Sequence, residues 1–325
     1  MATAEERKYL ALWRQYRENS KRATPIDLAE TPAAKLKRIA TLEANPEAWK
    51  KYYFPHYCTS EAAKFHKGLT KRCIKNDEWD EVVPWARELS KTSTAMMIFM
   101  YLTLTGRKSN IVVVSNTFDN AKRLMLPFKV NFEANQRIIN DYGVQENIGS
   151  WEAHEFITKG GVSFRAVGAG QNPRGTKNDA KRPDGIIVDD IDTDEACRNP
   201  ERVKDMVNWV NEALKPTRST STGLLFLALG NIIAKYSVIT ELMKTADYAK
   251  VVNIRDKNGK STWPQKNTEA LIDRVLSKIS WRAGQKEYFN NPVSEGDTFK
   301  EIAYGNCPPL KYCDQVIVYA DPATS

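Results

Sequence analysis

No run of this 325-residue sequence approaches the ~20 consecutive apolar residues that cross a bilayer as a helix, so no membrane partner is expected. Residues 1–22, MATAEERKYLALWRQYRENSKR, are charged throughout and lack the apolar core of a signal peptide. The expectation is a chain that stays where it is made. Cysteine is scarce: the five present are an odd number. Without an export signal they read as reduced thiols rather than a disulfide framework. His56, Cys58, His66 and Cys73 cluster in sequence, yet their spacing fits none of the usual zinc patterns. Cys307 and Cys313 have no two further ligands nearby. The standard phosphate-loop string G-x-x-x-x-G-K-[ST] is also missing. What remains is 42% hydrophobic and 27% charged, the balance of a soluble globular protein with one large or two medium domains. A net charge of +8 and a pI near 9.1 favour a polyanionic partner.

Residues 82–100, VVPWARELSKTSTAMMIFM, organise the rest. Val82 and Val83 lead to a turn at Pro84; Ala86 to Thr92 follow, then an apolar run free of Gly and Pro until Gly106. Strand, tight loop with Lys-Thr, then helix is the layout of a phosphate-binding loop, in which first-turn N–H groups and the positive helix end receive a polyphosphate. Arg87, Glu88, Leu89, Ser90, Lys91, Thr92 and Ser93 would form the nucleotide-binding loop. The Lys91 ammonium would reach the terminal phosphates and the Thr92 hydroxyl would ligate Mg²⁺. Trp85 and Ser90 stand where the pattern has its two glycines. From this stretch alone, an ordinary buried helix with a polar N-terminus stays open.

Upstream, residues 1–50 alternate charged helical stretches with breaks at Ala23-Thr24-Pro25 and Thr31-Pro32, a helical N-terminal arm. Residues 51–80 are rich in aromatics (Tyr52, Tyr53, Phe54, Tyr57, Phe65, Trp79), which would either stack on an adenine base or pack in the core. Downstream, a helix over 92–105 ends at Gly106. A β-branched strand over 110–115 follows, then a helix over 121–134 capped by Asp119 or Asn120. This repetition is a βαβ signature. Residues 156–167 predict a hairpin turning at Gly160-Gly161, and 168–177 a flexible segment.

The second anchor is Asp184-Gly185-Ile186-Ile187-Val188-Asp189-Asp190-Ile191-Asp192. A buried strand followed by paired carboxylates delivers acids to the carboxyl edge of a sheet, where open α/β folds bind ligands. Asp189 would hold Mg²⁺ and Asp190 would orient and deprotonate the attacking water. Alternation along the strand would point the two acids in opposite directions. Asp192 or Asp194 would cap the following helix. An amphipathic helix is predicted over 200–215, a buried strand over 224–229, and a helix over 237–244. Gly230-Asn231 at the strand's end would lie beside the phosphate loop and couple γ-phosphate loss to the next segment.

In this order the motifs resemble the large subunit of tailed-phage terminases, the DNA-packaging ATPase. They are Ala86 to Thr92, Val112 to Thr117, Arg174-Gly175, Arg182 to Asp190 and Leu229-Gly230-Asn231. The resemblance covers about residues 50–325. Arg87 and Ser90 suit that family better than the generic string; Glu88, Asp190 in place of Glu, and Asn231 in place of Thr depart from it. It implies an α/β P-loop NTPase of the ASCE type, with a mainly parallel central sheet flanked by helices. Residues 51–260 would be the ATPase core, 261–312 a C-terminal ATPase subdomain or linker, and 313–325 the first strand of an RNase H-like nuclease. In that strand Asp321 would be a metal ligand. A two-metal nuclease needs acids from later strands, so the expectation is a fragment without nuclease activity. The resemblance further implies ATP and Mg²⁺ as cofactors and double-stranded DNA, a portal protein and a small terminase subunit as partners. It also implies a ring, a pentamer, docked on a procapsid in the bacterial cytoplasm. Arg87 would respond to the γ-phosphate, and Arg174 or Arg182 would be an arginine finger, a DNA contact or a salt-bridge partner. A helicase-like translocase and a nucleotide-dead DNA-binding scaffold are the competing readings.

Overall fold

The computed structural model describes residues 4–173 and 181–293, all but the last belonging to one unit, Met1–Pro292. Arg174 and Asp321 lie outside the described residues, as do Gly175 and the segment from 294 onward.

The architecture follows from a few short apolar runs that are buried on both faces. Seven strands form one sheet in the order β3-β4-β2-β5-β6-β1-β7. They are β1 (Trp79–Pro84), β2 (Asn110–Ser115), β3 (Glu155–Ile157), β4 (Ser163–Gly168), β5 (Gly185–Asp189), β6 (Leu225–Gly230) and β7 (Tyr248–Ala249). Every neighbouring pair is parallel except β3 with β4, the two arms of the expected hairpin. Along β2 and β5, side chains alternate between two cores. Val113 and Ile187 join Phe99 and Phe128 on one face, while Val112, Val114, Ile186 and Val188 join Val203, Val210 and Ile239 on the other. Burial on both faces is why these strands read as continuous hydrophobic runs. Strand β6 lies between β1 and β5, so one strand separates the strand before the Lys-Thr loop from the strand that ends in the paired acids.

Helices cover both faces. They are α1 (Ala4–Ala23), α2 (Pro32–Glu43), α3 (Pro46–Tyr53), α4 (Lys64–Lys75), α5 (Lys91–Leu104), α6 (Phe118–Ala134) and α7 (Gln136–Tyr142), then α8 (Asp194–Cys197), α9 (Pro200–Asn208), α10 (Val238–Leu242), α11 (Glu269–Leu276) and α12 (Trp281–Phe289). Helix α5 is buried all round from Thr94 to Thr103, consistent with an apolar run lacking a polar face. The N-terminal helices are docked on the core: Trp13 Nε1 donates to Glu133 Oε2 (2.7 Å), and Trp49 is fully buried.

Several local expectations are corrected. Thr117, not Asp119 or Asn120, caps α6, because its hydroxyl accepts from Asn120 N. Thr193 caps α8, while the Asp192 carboxylate accepts from Val238 N and Ile239 N at the start of α10. The helix predicted over 200–215 changes character: α9 gives way to a π-helix, Trp209–Leu214, and a 3₁₀ turn, Lys215–Thr217. Tyr53 and Phe54 are fully buried in the core, which removes them from any base-stacking role.

Candidate functional site

The strand register brings the sequence anchors to one edge. Pro84 pairs with Gly230, Leu229 with Asp189, and Asp189 with Ser115, so the C-terminal ends of β1, β6, β5 and β2 are adjacent. This is the sheet edge at which open α/β folds bind ligands.

After β1 the chain forms the loop that opens α5. Trp85 is 3% exposed and packs against the rings of Phe65 (4.7 Å) and His66 (5.4 Å), so it turns away from the loop's concave side. That is how a bulky residue is accommodated at the first glycine position. Ser90, at the second, adopts φ 55° and Glu88 φ 67°, left-handed values that favour glycine. Asp190 (φ 49°) and Asn290 (φ 49°) are the other non-glycine residues with positive φ among the described residues. The first three line one cleft; Asn290 ends α12, which borders it, and its Oδ1 accepts from Ile232 N at 2.9 Å. Backbone strain is therefore concentrated around one site.

The cleft has a volume of about 570 Å³ and is lined by Lys91, Thr92, Asp190, Gly230, Asn231 and Lys286 among others. Lys91 Nζ donates to Asn231 Oδ1 at 2.6 Å and reaches Trp85 O at 3.4 Å. Thr92 Oγ1 donates to Asp189 Oδ2 at 2.5 Å. Asp189 is 1% exposed, and its second oxygen, Oδ1, is buried with no hydrogen-bond partner among the described residues. Burial, and then the neighbouring Asp190 charge, push the Asp189 carboxyl well above the usual carboxylate range. An orphaned carboxylate oxygen beside a threonine hydroxyl is a hard-oxygen donor pair, which fits Mg²⁺.

Asp189 and Asp190 face different surroundings, the first buried and the second on the cleft. Strand β5 ends at Asp189, and Asp190 N donates to Leu229 O at 3.1 Å while the left-handed backbone exposes its side chain. Gly230 permits close packing, since a Cβ there would sit 2.9 Å from Ile239 Cγ1. Arg87 lies at the mouth, its side chain 63% exposed and Nε 3.3 Å from Glu287 Oε2. Glu88 pairs with Lys266, Leu89 is fully buried, and Ser93 lines the cleft. Arg182 precedes β5 at the opposite edge of the sheet and is not brought to this cleft.

Four further residues, not assigned to this site from the sequence, hold it. Glu287 O accepts from both Arg87 N (2.9 Å) and Asn231 Nδ2 (2.7 Å), tying α12 to the loop and to β6. Lys266 Nζ donates to Glu88 O (2.9 Å) and Oε2 (3.0 Å). Lys286 Nζ binds the Asp194 carboxylate. His66, 3% exposed, accepts from Ala63 N at Nδ1 (3.0 Å), which leaves Nε2–H to donate to Leu89 O (2.9 Å). Lys286 and Glu287 lie nearly two hundred residues beyond the loop, and no local pattern ties any of the four to it.

No protein-family model matches the sequence, and no curated protein does. Among solved structures, a variant of the ATPase domain of the Thermus phage P74-26 large terminase is 16% identical, with 75% of this chain covering 98% of that one at a TM-score of 0.47. The large terminase of bacteriophage HK97 is 14% identical, with 77% of this chain covering 55% of that one at a TM-score of 0.50. At such identity the likeness is one of architecture: this chain shares the fold of the part of that large terminase it covers, a P-loop NTPase fold with a mainly parallel sheet flanked by helices.

Proposed function

We propose that this chain binds and hydrolyses ATP with Mg²⁺ and is the motor part of a viral DNA-packaging terminase. The observation that carries the reading is the convergence of Lys91, Thr92 and Asp190 in one cleft, with Asp189 hydrogen-bonded to Thr92, although the loop and the acids are far apart in sequence. Lys91 would exchange Asn231 Oδ1 for the β- and γ-phosphates, while the loop backbone and the α5 N-terminus orient them. Thr92 and Asp189 would hold Mg²⁺, which when bound supplies charge neutralisation of the phosphates. Asp190, exposed toward the cleft, would position and deprotonate the attacking water. A second hollow of about 380 Å³, bordered by Tyr57, Ser90, Ser93, Thr94, Met97 and Trp263, would receive the base. Release of Lys91 back to Asn231, whose amide touches Glu287 O, would report phosphate loss to α12.

Translocation of double-stranded DNA into a procapsid, a pentameric ring on a portal protein, a small-subunit partner and action in the host cytoplasm belong to the same proposal. It rests on the fold and the +8 charge. Arg174 or Arg182 of a neighbouring subunit would act as the finger, so the isolated monomer would turn over slowly. The test is a phosphate-release assay on purified protein. Lys91→Ala abolishes ATP binding and turnover, whereas Asp190→Asn retains binding and loses turnover. Unchanged turnover in Asp190→Asn removes the water-positioning assignment, and hydrolysis surviving in Lys91→Ala removes the site.

A further inference from the structure

We propose that Lys286 distinguishes nucleoside triphosphate from diphosphate by leaving Asp194 for the terminal phosphate. The inference rests on the nucleotide reading above.

Lys286 is in the last turn of α12, and its neighbour Glu287 fixes that turn to the cleft through hydrogen bonds from Arg87 N and Asn231 Nδ2. The ammonium is thus delivered to the rim by a backbone already fastened to the phosphate loop. Its partners are carboxylates: Asp194 Oδ1 and Oδ2 at 2.8 and 2.9 Å, and Glu287 Oε1 at 3.8 Å. Both Lys286 and Asp194 line the cleft that holds Lys91, Thr92 and Asp190.

The pair is asymmetric in a way that suits exchange. The Lys286 side chain is 24% exposed while Asp194 is 64% exposed. A carboxylate largely in water gives up little when its partner leaves, because solvent replaces the contact. Lys266, the other lysine on the rim, is held differently. It bonds to the Glu88 carbonyl as well as the carboxylate, and its ammonium lies 5.2 Å from the Trp263 ring centroid. Moving Lys266 would break backbone and ring contacts; moving Lys286 breaks only ion pairs. A terminal phosphate brings acceptor oxygens and negative charge that a diphosphate lacks, and both compete with the Asp194 carboxylate for the ammonium. Loss of that phosphate returns Lys286 to Asp194.

Equilibrium titrations of the whole chain with a fluorescent β,γ-imido ATP analogue and with fluorescent ADP, both in Mg²⁺, test this. Lys286→Ala is expected to weaken the triphosphate analogue about tenfold, the scale of one charge-assisted hydrogen bond, and to leave ADP within about twofold. Lys286→Arg retains most of the discrimination, and Asp194→Asn, by freeing the lysine, increases it. A purely structural role for the pair would weaken both ligands together. An unchanged triphosphate-to-diphosphate ratio in Lys286→Ala, or reduced discrimination in Asp194→Asn, overturns the inference and leaves the nucleotide site standing. Failure of the unmodified protein to bind either nucleotide overturns both.

Discussion

Acidification should loosen the loop that opens α5 through one buried imidazole. His66 lies between Phe65, Trp85 and Trp263, with ring centroids at 4.1, 5.4 and 4.5 Å, and bridges Ala63 N to Leu89 O. Burial pushes its pKa from 6.5 to about 4. Protonation would cost burial energy and deprive Ala63 N of its acceptor. Because the folded value is the lower, the unfolded chain binds the extra proton first. The stabilisation is therefore complete above about pH 6.5 and is lost as pH falls from there toward about 4. Each pH unit between the two values is worth about 1.4 kcal/mol, so the full loss is about 3 kcal/mol. Burial depresses His56 to about 4 as well, so the intact protein carries both contributions. His66→Phe separates them. It keeps a ring of similar size but leaves Ala63 N and Leu89 O unpaired, at about 1–3 kcal/mol each. Urea denaturation at pH 7 and at pH 4.5 should show the variant less stable at pH 7 and losing about 2–3 kcal/mol less on acidification. Equal losses in the two proteins would refute the assignment of a neutral, hydrogen-bonded His66 beneath the loop.

Three other outcomes follow from the geometry. Ser90→Gly relieves a left-handed backbone and should raise stability by about 0.5–1 kcal/mol in the same denaturation assay, against a loss expected for Ser90→Val. Gly230→Ala presses a methyl group against Ile239 and should cost about 1–3 kcal/mol in stability, read as a lower denaturation midpoint. Association with double-stranded DNA should weaken steeply between about 50 and 200 mM salt in a fluorescence anisotropy titration; a flat response would remove the basic-surface argument.

Much of the sheet was legible because β2, β5 and β6 are short apolar runs bounded by turn residues, and burial on both faces leaves that pattern in sequence. Strand β7 was not, since two residues paired to β1 carry no periodicity. The cap of α6 was misplaced among Thr117, Asp119 and Asn120 because all three residue types serve as caps and only the backbone decides. In the candidate site, the Lys-Thr pair and the two aspartates stood next to recognisable strands. The left-handed backbone of Asp190 left no mark in the sequence. His66, Lys266, Lys286 and Glu287 were silent for another reason. Each supports the site through contacts with residues distant in sequence, and such contacts leave no local spacing to read.

The central claim is that Lys91, Thr92 and Asp189 serve one Mg²⁺-bound triphosphate. Titration of a non-hydrolysable ATP analogue, with and without Mg²⁺, into the intact chain, Lys91→Ala and Asp189→Asn tests it most directly. The account predicts Mg²⁺-strengthened binding in the intact chain, none in Lys91→Ala, and weak binding insensitive to Mg²⁺ in Asp189→Asn. Superimposable curves for all three proteins would contradict it.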